Sequence, residues 1–193
     1  MRRLDAAFVL LVAHSLVANP RRRQAAALQG AFGTSIFKAG GEGALLRDIL
    51  SATPRLRGVL FDLPQVVARA PELLTGEIAA RCEIVGGDFF ESVPEGGDAY
   101  LLKGVIHDWP DEDAARILRN TRRAIRPGGT LLLIEGLADS PARPVGVIDL
   151  LMLVLGGRER TEGDFRSLLT GTGFAIGRII PTEVSSVIEC RPM

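Results

Sequence analysis

A histidine, an acid and a tryptophan stand side by side at His107, Asp108 and Trp109, just past Lys103 and the apolar run Ala99–Leu102. Imidazole is the side chain best able to exchange a proton near neutral pH. The indole face beside it can hold a flat ligand. The chain has two histidines and one tryptophan, and this stretch holds one of the former and the latter. Ligands bind at the carboxyl ends of strands in an open α/β sheet, so the chemistry suggested is proton abstraction at a strand end. Taken alone, the stretch reads equally well as a solvated helix start with a packed tryptophan.

Other segments converge on the same edge if their strands run parallel. Ala39, Gly40, Gly41, Glu42 and Gly43 open a helix over Ala44–Leu50, where glycines bring backbone close to a ligand and free N–H groups face it. Leu46 occupies the third glycine position of a dinucleotide fingerprint, which argues against that motif. Asp62 ends a strand 19 residues past Gly43, about the offset at which an acid receives ribose hydroxyls. It reads alternatively as the cap of the helix that Pro64 begins. Asp88 and Phe89 could present an edge and a face to adenine, with Phe90 reading as core. Glu135 ends the most apolar strand, where a carboxylate is costly unless it serves a site or finds a partner.

The elements that must position these residues alternate from Gly40 onward in the manner of an α/β domain. Strands are expected at Gly58–Asp62, Cys82–Gly86, Asp98–Lys103 and Thr130–Ile134. Helices are expected at Pro64–Ala70, Pro71–Ala80, Asp111–Ile125, Val145–Leu155 and Thr161–Thr170, the last entered through a threonine cap. Phe174–Ile180 and Ser185–Glu189 read as a closing antiparallel pair around Pro181. Residues 1–35 show no strand pattern and read as a helical N-terminal segment, leaving 36–193 as the ligand-binding domain.

Composition bounds the reading. The 193 residues support one domain with a sizeable core, 47% of them are apolar, and 23 basic residues balance 23 acidic ones. That balance gives no electrostatic reason to expect nucleic acid as a partner. Cys82 and Cys190 stand far apart with no companion ligands, which fits a reduced, cytoplasmic setting with neither metal site nor disulfide framework. The run from Ala6 to Ala18 mimics a secretory leader but is too short to span a bilayer. His14, Ser15 and the Asn19-Pro20 break before three arginines spoil the leader reading. It reads instead as a helix whose Ala6–Val17 face docks a second copy or a helper chain.

In order, the segments GEGALL, GVLFDLPQVV, CEIVGGDFFESVP, DAYLLKGVIHDWPDE, RAIRPGGTLLLIE, DLLMLVLGGRERTEGDF and GTGF resemble the S-adenosylmethionine-dependent O-methyltransferases of the plant caffeate and bacterial polyketide type. HDW and GGRERT are the most specific blocks. The resemblance implies a Rossmann-like methyltransferase fold, a mostly parallel sheet with a closing antiparallel strand pair. It further implies methyl transfer to a hydroxyl of a small, aromatic molecule. Gly40, Gly41, Asp62, Asp88, Phe89, Lys103 and Trp109 would bind S-adenosylmethionine. His107 would be the general base, bracketed by Glu135 and Glu159, and Asp149 and Met152 would shape the acceptor pocket. Two departures stand out. The family carries a large helical N-terminal domain, whereas residues 1–35 are all that precede the glycine region here, as if truncated. Its first strand also ends in an acid just before the glycines. Here Ser35, Ile36, Phe37, Lys38 and Ala39 stand there, and the only earlier acid is Asp5. A damaged or missing first strand is therefore expected, and with it the alternative of a catalytically impaired remnant acting as an interaction subunit.

Overall fold

A computed structural model describes residues 8–12, 41–140, 156–183 and 185–193. Seven strands form one sheet: β1 (Phe8–Val12), β2 (Arg57–Asp62), β3 (Cys82–Gly86), β4 (Ala99–Lys103), β5 (Thr130–Glu135), β6 (Phe174–Pro181) and β7 (Ser186–Pro192). Their order is β3-β2-β1-β4-β5-β7-β6. The first five run parallel, while β7 pairs antiparallel with both β5 and β6. The helices are α1 (Ala44–Ala52), α2 (Pro64–Val67), α3 (Gly76–Ala79), α4 (Asp111–Ala124) and α5 (Glu162–Thr170). This is the expected Rossmann-like arrangement, a mostly parallel sheet with a closing antiparallel pair. The chain order reverses between β1 and β4, and in open α/β sheets ligands bind at the strands' carboxyl ends beside such a switch.

One expectation is corrected. Phe8–Val12 is a strand and not part of a helix: Leu10 pairs with Val59 on one side and with Tyr100 on the other. The first-strand slot is thus filled, but by residues well upstream of the glycines. A division of the chain at residue 35 does not hold for this strand, which belongs to the same sheet as everything after it. A strand flanked on both sides shows a continuous apolar run, which periodicity cannot tell from a short buried helix. The rest of the expected Ala6–Val17 helix, and the helix at Val145–Leu155, lie outside the described residues.

Two apolar layers hold the sheet. On one face α4 and α5 bury Ile117, Leu118, Phe165 and Leu169 against Phe61, Leu102, Leu131 and Leu133. On the other, α1 buries Leu46 and Leu50 against Leu60 and Leu101. Each fully buried leucine of this kind is worth about 1.5–3 kcal/mol. Acids Asp111, Glu112 and Asp113 fill the first turn of α4 and Arg122 and Arg123 the last, the polarity that the helix dipole favours. At α5, Thr161 and Asp164 form a reciprocal capping box, so the threonine entry is where the sequence put it. Among the described residues no helix is long and apolar enough to cross a membrane.

Candidate active site

β4 ends at Lys103, and the chain turns through Gly104, whose φ of 60° lies in the left-handed region. A single 3-10 turn, Ile106–Asp108, then carries His107. Three residues cannot hold themselves in place, and the neighbouring elements do it for them. Glu135, at the end of β5, accepts the backbone N–H groups of Val105 (3.1 Å) and Ile106 (2.8 Å) through Oε1. Its side chain is fully buried, and these two bonds are part of why a carboxylate is tolerated there.

The other carboxylate oxygen faces the histidine. His107 Nδ1 lies 3.6 Å from Glu135 Oε2 and 3.4 Å from Glu159 Oε1, while Nε2 lies 3.2 Å from Asp108 Oδ1. The imidazole is 17% exposed, against 6% for both Glu159 and Asp108. Burial alone would push its pKa down. The Glu135 charge, with hydrogen bonds to Asp108 and Glu159, more than reverses this and holds the ring well above the ordinary imidazole range. Glu135 in turn is raised, because desolvation outweighs the attraction of His107. Three acids around one histidine make a proton-holding site whose imidazolium has a partner at each nitrogen.

The remaining expected residues lie at neighbouring strand ends. Asp62 closes β2, is 2% exposed, and accepts the Leu63 N–H at 2.7 Å. Leu63 is the N-cap of α2 and no side chain caps that helix, so the capping alternative for Asp62 is not what the structure shows. Asp88, just beyond β3, accepts the Phe90 N–H at 2.8 Å. Lys103 is exposed at the end of β4 and Gly41 is buried ahead of α1. The aromatic order is the reverse of the one expected. Phe89 is the core ring, 2% exposed, and Phe90 is the half-buried one. Trp109 stands edge-on to Phe90, centroids 4.8 Å apart, and to Phe89 at 6.2 Å. A ring buried in the core cannot offer its face to a ligand, whereas Phe90 and Trp109 can. Gly40, Asp149 and Met152 lie outside the described residues.

Sequence reasoning missed three contributors. Asp108 was visible beside His107 but not assigned to it. Gly157 and Arg160, inside the GGRERT block, touch the turn directly. A Cβ on Gly157 would lie 2.4 Å from the His107 carbonyl oxygen, and the Arg158 N–H donates to that same oxygen at 2.8 Å. The glycine is there because two backbones meet.

Known proteins match both the sequence and this geometry. A family model described as an O-methyltransferase domain matches residues 14–175. The mitomycin biosynthesis 6-O-methyltransferase of Streptomyces lavendulae is 48% identical over 163 residues, covering 82% of this chain and 47% of that one. The solved structure of the mitomycin 7-O-methyltransferase MmcR superposes with a TM-score of 0.78 at 37% identity, over 97% of this chain and 49% of the other. The O-methyltransferase NcsB1 from neocarzinostatin biosynthesis, solved with S-adenosylmethionine and 2-hydroxy-5-methyl naphthoic acid, gives 0.77 at 29% identity, over 97% and 49%. The chain spans about half the length of these relatives. With a domain match across most of its length and a relative at 48% identity, the chain belongs to the O-methyltransferase domain family.

Proposed function

We propose that this chain binds S-adenosylmethionine at the carboxyl ends of β2, β3 and β4 and directs methyl transfer to a hydroxyl of a small aromatic molecule, with His107 as the general base. The observation that carries the reading is the imidazole held by Glu135 and Glu159 at Nδ1 and by Asp108 at Nε2. The donor set at the strand ends fits the nucleoside part of the cofactor. Asp62 and Asp88 can accept from ribose hydroxyls and from the adenine amino group, and Phe90 and Trp109 offer half-buried ring faces. When bound, S-adenosylmethionine supplies a methyl group on a sulfonium, which passes to the acceptor oxygen and leaves a neutral thioether.

The chain's own residues manage the proton. A phenolic hydroxyl attacks poorly until its proton is taken, and a phenol's pKa lies near ~10. Raising the imidazole above its ordinary range brings the base closer to that value and makes the transfer less uphill. Nε2 takes the hydroxyl proton, and Asp108 holds the new N–H. Glu135 and Glu159 stabilise the positive ring through Nδ1 and fix its orientation, the role an acid plays behind a catalytic histidine. Glu135 also sets the turn itself, through the Val105 and Ile106 amides.

Replacing His107 by glutamine keeps a similar volume without a titratable nitrogen. Methyl transfer to a panel of small phenols is expected to fall about 10²–10⁴-fold. Affinity for S-adenosylhomocysteine, the demethylated product, should stay within about threefold of the unmodified chain, a difference well under ~1.4 kcal/mol. Full turnover by His107→Gln would overturn the assignment of the base.

A further inference from the structure

Arg160 has no part in the chemistry above, yet it is 1% exposed and among the largest fully buried side chains described. A guanidinium carries five N–H donors in a fixed planar fork, and all five are spent on the histidine turn, the start of α4 and the arginine's own segment. Nη1 donates to the carbonyls of Ile106 (2.8 Å) and Arg158 (3.3 Å). Nη2 donates to the carbonyl of Trp109 (2.8 Å) and to Asp111 Oδ1 (2.8 Å), and Nε donates to Asp111 Oδ1 at 3.0 Å. Ile106 and Trp109 bracket His107 and Asp108, so the fork grips the turn immediately before and after the acid-base pair. Arg160 is itself fixed from behind, because its carbonyl accepts the Ala138 N–H at 2.9 Å in the segment that follows Glu135. Among the described residues its ion pair is with the half-exposed Asp111, which Arg158 shares. Burying a guanidinium with so little countercharge is an expensive way to fill space, and an apolar side chain of similar volume would pack without that cost.

We propose that Arg160 is a positioning residue for the site, setting through one buried fork both where His107 stands and where the Trp109 ring faces. This rests on the reading of His107 as the base. Acid-base geometry and the aromatic wall are then coupled, and a change at Arg160 moves both at once. Lysine cannot replace it, since a single ammonium lacks the planar set of donors.

Trp109 is the only tryptophan, so emission excited selectively in the indole reports on this loop. The test compares the unmodified chain with Arg160→Lys by Trp109 emission and quenching, by calorimetric titration of S-adenosylhomocysteine, and by the pH profile of methyl transfer. The expected result is a folded variant with red-shifted, more quenchable emission and binding about tenfold weaker. Turnover should fall about a hundredfold, as misplacement by an ångström can cause, with its pH limb displaced. His107→Gln, by contrast, should lower turnover with Trp109 emission unchanged. A folded Arg160→Lys with unaltered emission, affinity and pH limb would make Arg160 a structural cross-link and overturn the proposal. If that variant does not fold, Asp111→Ala decides the matter, because it removes two of the five bonds at a half-exposed residue. Smaller shifts of emission and pH limb in the same direction support the proposal, and none overturns it. An unmodified chain that neither binds the thioether nor transfers methyl would sink the functional reading alone, since Trp109 emission still reports on the grip of Arg160.

Discussion

As the proposed base, His107 is pulled between two protonation states. Its carboxylate neighbours hold the ring well above the ordinary imidazole range and so favour the imidazolium, whereas a base must be neutral to accept a proton. Turnover is therefore expected to climb as pH rises from about 6.5 through the raised value, with no base-side plateau until that value is passed. Stability should move the other way. Folding raises the pKa of His107, so the protonated ring stabilises the fold fully below about pH 6.5, and that contribution is lost as pH rises through the folded value. Glu159→Gln weakens one of the hydrogen bonds responsible. It should shift the rising limb of the pH–rate profile to lower pH and reduce the maximal rate. A limb that stays in place in Glu159→Gln would mean that Glu159 does not act on the imidazole.

The 3-10 turn at Ile106–Asp108 is the element that matters most, and it is held almost entirely from outside, by Glu135, Gly157 and Arg160. Gly157→Ala would set a methyl group 2.4 Å from the His107 carbonyl, against backbone that cannot rotate away. Overpacking of this kind costs roughly 1–3 kcal/mol, which at ~2–4 °C per kcal/mol lowers the melting temperature by a few degrees. Turnover should fall far more, by about a hundredfold, because the displaced atom belongs to the proposed base. Equal turnover in Gly157→Ala would show that the close approach has no bearing on the chemistry. The elements themselves were largely legible. Cys82–Gly86 reads as a strand because glycines and a short apolar run bound it, and the helix after Thr161 announces itself by its cap. His107, Glu135 and Glu159 were readable as a set only because their motifs resemble a known family. Arg160 was not, because its acceptors Ile106 and Trp109 lie more than fifty residues away and nothing local marks an arginine as buried. The order of burial at Phe89 and Phe90 was hidden for the same reason, since it depends on which ring the distant residues of the core take in.

Across the whole molecule, the sheet depends on a strand that the pattern of residues concealed. Phe8–Val12 joins β2 to β4 and so brings the ends of these strands, Asp62 and Lys103, to the same level one strand apart; without it the two halves of the sheet have no common register. Leu10→Pro would remove a ladder hydrogen bond in the middle of the sheet, where proline is not tolerated. A loss of about 5 °C or more in melting temperature is expected, at ~2–4 °C per kcal/mol. Unchanged melting would show that this strand carries little of the fold. β1 ends at Val12, so the acids of the proposed cofactor site at these strand ends are Asp62 and Asp88. Calorimetric titration of S-adenosylhomocysteine into the purified chain and into Asp62→Ala shows whether these strand ends hold a nucleoside. The predicted result is saturable binding by the unmodified chain, weakened about ten- to a hundredfold by Asp62→Ala, since a hydrogen bond to a charged carboxylate is worth roughly 1.5–3 kcal/mol. No binding by the unmodified chain, or equal binding by both, would contradict it.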